Sequence, residues 1–346
     1  MSHAARSRLT TALLVALSVA VWLVLCLRLK LDWQLNPQYA HGWIVPLLVA
    51  LLLRLRWADR PGLENVSHRF WPMVLVALTA ALFPVQLVLH ANPDWRVPLW
   101  LWAILATGIS LACVAHRGGI SWVLHFGPAI LLMLLAIPWP SVAEERVSNW
   151  LLGGVVSITA EFLNLLGFAV VRSGNTLLLA QGQLGVEDAC SGIRSLHGSL
   201  MIAYLLGELG RWRWSWRFGL LALAVATAIL LNSLRAMILT WQAIEHGIEH
   251  TERLHDQLGQ GITFASLALL VVTFLLLDRR HPDLSISVKR CPIVEKPTPS
   301  WGVIFSFFLF TGIVTASEAW FDMEEAQATD RRLIVDWSSA GEVTHG

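Results

Sequence analysis

Three short polar patches carry the side chains of this chain that could make and break a covalent bond. The first is Glu187-Asp188-Ala189-Cys190-Ser191-Gly192-Ile193-Arg194, the second Asn232-Ser233-Leu234-Arg235, and the third His255-Asp256-Gln257-Leu258-Gly259. A cysteine is a strong nucleophile only as its thiolate, and a free thiol with a pKa of about 8.5 is mostly protonated near neutral pH. A nearby cation or the amino-terminal end of a helix lowers that value. Cys190 stands where the apolar run 191–209 begins, and Arg194 follows one turn later. Glu187 and Asp188 pull the other way if they are close, or serve as partners for the helix start. Arg235 interrupts an apolar run after Asn232. An arginine stays protonated, so it cannot act as a base, but it can hold a thiolate or stabilise the oxyanion of a tetrahedral intermediate. His255 supplies the one ordinary side chain that titrates near neutral pH, and the adjacent Asp256 is placed to orient its ring. His246 and His250 stand four apart, which on a continuous helix would also allow a metal pair, but no third ligand accompanies them.

The elements that must position these patches are membrane helices. Of the 346 residues 55% are hydrophobic and only 14% charged, against about 25% in a soluble domain. Apolar runs that fit or nearly fit a membrane span lie at 9–29, 41–56, 71–90, 97–115, 120–138, 191–209, 217–240, 261–277 and 301–317. A tenth, 148–171, is interrupted by Asn149, Thr159, Glu161 and Asn164. The fold expected is all-α, a bundle of about eight or nine spanning helices. A small outer β-hairpin, turning at Gln181-Gly182, is expected before Cys190. A net charge of +1 gives no reason to expect nucleic acid as a partner. Cys26, Cys113, Cys190 and Cys291 form no metal-binding spacing, so neither a metal nor a cofactor is expected.

Positive charge sets the orientation. Arg6 and Arg8 precede the first run, Arg54, Arg56, Arg60 and Arg69 follow the second, Arg211, Arg213 and Arg217 sit among tryptophans, and Arg279, Arg280, Lys289 and Arg290 follow the run at 261–277. Placing all four groups inside puts Cys190, Arg235 and the loop expected at 241–260, which carries His255, at the outer face. The count closes only if 148–171 does not cross and instead lies in the outer interface or re-enters. Tyr39, His41 and Gly42, at another outer helix mouth, are expected to line the same cavity.

The ordered set 187–196, 232–235 and 255–259 resembles the exosortase/archaeosortase family. Pro37-Gln38-Tyr39-Ala40-His41-Gly42-Trp43 and Ile137-Pro138-Trp139-Pro140 support the likeness, which covers roughly residues 30–280. The resemblance implies a polytopic cysteine protease or transpeptidase of the bacterial inner membrane, with its site on the outer face. Its partners would be exported proteins ending in a PEP-CTERM-type signal: a short Pro-Glu-Pro-like motif, a hydrophobic helix and a basic tail. The processed proteins go to the surface or to exopolysaccharide. It also implies Cys190 as nucleophile, Arg235 as stabilising arginine and His255 as acid–base group, with Arg194 in support; from the residues themselves, Asn232, Asp256 and Glu187 are expected to support the site as well. The domain reading is a catalytic unit at 1–280, a linker at 281–300, and an additional helix with a short tail at 301–346. A membrane transporter or a scaffold of an exopolysaccharide export system is the competing class. A transporter predicts polar groups spread through the helix middles and two similar halves, whereas here they gather at one rim.

Overall fold

The computed structural model describes residues 3–63, 70–180, 182–185, 192–280 and 301–330, with backbone alone at 3–6, 185, 248–256, 280 and 327–330. Each of the ten apolar runs is a helix. In chain order these are α1 (His3–Leu35), α2 (Val45–Trp57), α3 (Phe70–Ala91), α4 (Arg96–Gly118), α5 (Ile120–Leu131), α6 (Ser141–Leu165), α7 (Ile193–Leu209), α8 (Trp214–His246), α9 (Ile248–Arg280) and α10 (Trp301–Asp330). The protein is a polytopic helix bundle, as expected, but the number of spans is slightly smaller. Among the described residues, six helices are long and apolar enough to cross a membrane, or seven if the bent pair 120–136 and 141–165 is one span. The shortfall lies in α2 and α7, which have only 13 and 17 residues, fewer than the ~20 a helix needs to cross about 30 Å of hydrocarbon.

One end of the bundle is tied by arginines. Arg56 of α2 and Arg217 of α8 both donate to the carboxylate of Glu208 on α7. Arg56 also donates to the His125 carbonyl of α5, and Arg211 pairs with Asp59 at 2.8 Å. The chain after α2 and the α7–α8 turn therefore lie together, as their shared positive charge predicts. Trp122, donating to the Pro61 carbonyl at 2.9 Å, shows that α5 begins there too.

The opposite end is organised by the Ile137–Pro140 turn. A 3₁₀ turn, Leu132–Ala136, prolongs α5. Two prolines, each lacking an N–H, then break the helix, and α6 leaves at 82° to 120–136. Four side chains from α1, α4 and the chain between α1 and α2 fasten this turn. Trp33 donates to the Ala136 carbonyl at 2.8 Å, Trp100 to Pro138 at 2.8 Å and Arg96 to Trp139 at 3.2 Å, while the Tyr39 oxygen accepts the Trp139 N–H at 3.1 Å.

Beyond this end stands a small cap. α8 and α9 have 33 residues each, about 50 Å at 1.5 Å per residue, so they outrun the hydrocarbon layer. Gly247, at φ +88°, is the single residue that turns one into the other, a backbone shape suited to glycine. Leu239 and Ala243 of α8 pack on Leu152, Val156 and Leu163 of α6 and on Leu177 and Leu179 of an antiparallel sheet. That sheet has three strands in the order β1 (Val171–Ser173), β2 (Thr176–Leu179), β3 (Gly182–Gly185). The hairpin expected at Gly182 is its second half, with Leu179 opposite Gly182. The first strand was hidden because it has only three residues, all exposed.

On the far side of the bundle α1, α3, α4 and α10 share one core. Leu17, Leu25, Leu75, Leu82, Trp102 and Phe310 are buried in it. α10 packs along α3 and α1.

Candidate active site

α8 supplies the central wall of the site. Asn232 and Arg235 are three residues apart, a spacing that puts both on one helix face, and both are buried. Each rests on a glycine from one of the other two patches. Gly192, at the start of α7, lies so close that a Cβ there would stand 2.9 Å from Cγ of Asn232. Gly259 of α9 lies against the guanidinium, with Nη2 of Arg235 only 2.9 Å from where its Cβ would be. The three patches therefore meet.

They open on a cavity of about 1160 Å³. α7 contributes Arg194 and Ser195, α8 Asn232 and Arg235, and α9 Gln260 and Thr263. The start of α6 adds Glu144, Glu145, Ser148 and Asn149, and Asn36, Gln38 and Arg96 complete the rim. Amides and hydroxyls dominate this lining. Such groups offer donors and acceptors together.

The rim is held in place before anything binds. Glu144 accepts from Arg96 through one oxygen and from the Gln38 amide, at 2.8 Å, through the other. Gln38 also lies 3.4 Å from Nδ1 of His197, whose ring packs edge-on against Trp139 with centroids 4.6 Å apart. Burial pushes the Tyr39 phenol well above its usual range, so it stays protonated and serves as a fixed partner of the turn. Glu144 and Gly192 line the same cavity. The excursion between them, α6 and the sheet, thus begins and ends at this end of the bundle, as a non-crossing 148–171 requires.

Several expectations need correction. Residues 241–260 do not form a loop: α8 runs to His246 and α9 starts at Ile248, because apolar and polar residues alike continue a helical period around one glycine. His255 and Asp256 are accordingly helical, and His255 lies one turn before Gly259. His246 and His250 fall on different helices, so the spacing that would have paired them on a metal does not apply. Tyr39, His41 and Gly42 support the wall without being part of it. Tyr39 is 1% exposed and bonded to Trp139, and His41 bonds the Leu135 carbonyl at 3.0 Å. Their neighbours Asn36 and Gln38 face the cavity instead. Arg194 is exposed on the cavity wall. Cys190 and Glu187 lie outside the described residues, and the described chain resumes at Gly192.

Sequence reasoning missed Arg96, Glu144, Gln38 and Gln260. The signal for Glu144 was the pair of acids just after Ile137–Pro140, a polar start to a long helix. Arg96 stood as the charge at the mouth of the run 97–115.

A profile of transmembrane exosortases matches residues 33–318, most of the chain. The chain belongs to the transmembrane exosortase family. No match was found among curated proteins or among solved structures. The exosortase match takes in every element that lines the cavity, from Asn36 to Phe264, and reaches into α10. Membership supports a membrane protein of exosortase type.

Proposed function

We propose that this exosortase-family protein is a membrane cysteine protease or transpeptidase that cuts exported proteins at a C-terminal tripartite signal. The observation that carries the reading is the meeting of the three patches: Gly192 on Asn232, and Gly259 on Arg235, at one cavity. A thiol two residues before Gly192 and an imidazole one turn before Gly259 are the groups that acyl transfer would use beside a buried guanidinium.

In this mechanism the substrate's hydrophobic helix lies beside the bundle and its motif enters the cavity. The Cys190 thiolate attacks the scissile carbonyl, forming a C–S bond. Arg235 and backbone N–H groups hold the oxyanion that develops. His255 donates a proton to the leaving amine as the C–N bond breaks. Water or an amine then attacks the thioester, releases the substrate's acyl group and returns the thiol. Asn232 and Arg194 support the wall, and Glu187 and Asp256 orient their neighbours. The positive loops face the cytoplasm of a bacterial inner membrane in this reading, and the cavity faces outward.

The test is co-expression with a tagged protein from the same genome that ends in such a signal, followed by gel shift. Wild type shortens the substrate, and Cys190→Ala leaves it full length while still accumulating in the membrane. Equal processing by Cys190→Ala would remove the nucleophile assignment and favour a transporter or a scaffold.

A further inference from the structure

We infer that Gly259 is a positioning residue for Arg235: the missing side chain on α9 sets where the guanidinium lies in the cavity. The inference rests on the reading of Arg235 as part of the working centre. Glycine is a poor helix former, yet α9 carries it at both 259 and 261. The two positions differ in what surrounds them. A Cβ at 261 would meet nothing within 4 Å. At 259 it would stand 2.9 Å from Nη2, 3.0 Å from Cζ and 3.5 Å from Nε of Arg235. The guanidinium thus lies across α9 in the space that any larger residue would fill.

What gives way on substitution follows from which atoms these are. They are the far end of a flexible side chain, so Ala at 259 displaces the head of Arg235 rather than the helix. The head sits in a wall where Arg235 is only 8% exposed, and the contact is about half an ångström closer than carbon atoms comfortably approach. Displacements of this order in a preorganised site are expensive, since a misplacement of about 1 Å can lower a rate about 100-fold. The substrate-binding surface elsewhere in the cavity is untouched.

The experiment compares Gly259→Ala, Gly261→Ala, Arg235→Ala and the double variant Gly259→Ala/Arg235→Ala in the full chain in lipid nanodiscs. Two quantities are read: kcat and KM on a peptide bearing the tripartite signal, and the thermal midpoint. Gly261→Ala is expected to raise the midpoint and leave kcat unchanged. Gly259→Ala is expected to lower kcat about 10- to 100-fold with KM almost unchanged, and to gain less in midpoint than Gly261→Ala. In the Arg235→Ala background, where the crowding atoms are gone, Gly259→Ala should stabilise as much as Gly261→Ala does. Wild-type kcat in Gly259→Ala, or the same midpoint shift with and without Arg235, would overturn the inference. If wild type itself leaves the peptide intact, the protease reading fails, while the midpoint cycle still decides whether Gly259 seats Arg235.

Discussion

Arg56 and Arg217 at one end of the bundle and Arg235 at the other are buried to nearly the same degree, at 5%, 6% and 8% exposure. They lie in different surroundings. Arg56 and Arg217 share the Glu208 carboxylate, and each also donates to one carbonyl, Arg56 to His125 and Arg217 to Trp212. That shared carboxylate and the two carbonyls tie α2, α5, α7 and α8 together. Arg235 lies flat on a glycine and borders a cavity lined by amides, hydroxyls and charged side chains, Glu144 and Glu145 among them. Arg56 and Arg217 fasten helices to one another, whereas the Arg235 guanidinium borders a polar cavity. The same residue type thus fastens one end and equips the other.

The difference is broken most severely at Glu208. Glu208→Gln leaves two buried guanidiniums facing each other, and removing one partner of such a network lowers stability by about 3–5 kcal/mol. Thermal unfolding in detergent should show this large loss. The triple replacement Arg56→Met, Glu208→Leu, Arg217→Met should restore most of it, since well-packed apolar side chains can replace a buried ion network at little cost. Failure of the triple variant to recover would mean that the network sets the fold as well as stabilising it.

The converse variant is Arg235→Ala. Loss of one oxyanion-stabilising donor lowers kcat about 10²–10³-fold, or about 2.7–4 kcal/mol, with the thermal midpoint little changed. Processing assays and unfolding curves on the same preparation make the contrast direct. A large stability loss with retained processing would put Arg235 in the same structural class as Arg56.

Much of this was legible in the sequence, and the reasons are physical. Each apolar run holds a helix, and those that span do so because a membrane span must satisfy its backbone internally. The shared end of Arg56 and Arg217 followed from charge. The meeting of Gly192 with Asn232 and of Gly259 with Arg235 was readable because each patch interrupts or borders an apolar run, where polar residues are expensive. Other features were invisible because they depend on contacts between distant segments. Nothing local to Gln38 or Glu144 says that their side chains meet, being 106 residues apart. The bend that turns α6 off α5 was hinted at by Pro138 and Pro140, but its 82° angle comes from the tryptophan and arginine bonds around the turn. The continuous α9 was hidden because the polar 248–258 stretch looks like a loop when judged by hydropathy.

The next variant sharpens the comparison within the site itself. Gly192 sits at φ +79° and its Cβ would press on Asn232. Gly192→Ala therefore adds backbone strain, of order 1–3 kcal/mol for a residue held in a sparsely populated region, to a displaced amide. Both stability and kcat should fall, unlike Gly259→Ala, where only the side chain yields. If Gly192→Ala is as stable as wild type, the turn into α7 has relaxed and the Asn232 contact is not a fixed part of the wall.

The smallest effect expected is at the rim. Gln38 holds one oxygen of Glu144 and Arg96 the other, and Glu144 retains 18% of its side-chain exposure. Water can therefore replace the lost donor in Gln38→Ala, so the loss should be about 1 kcal/mol or less, within the range of a single hydrogen bond. Tyr39→Phe differs in one respect. The Trp139 N–H loses its acceptor in a place where Tyr39 is 1% exposed, and an unsatisfied buried donor is worth about 1–3 kcal/mol. Tyr39→Phe should thus be the more destabilising of the two, although Gln38 lines the cavity and Tyr39 does not. Equal midpoints for the two variants would mean that the Trp139 N–H finds water, and that the turn carrying α6 is open to solvent rather than clamped by α1 and α4.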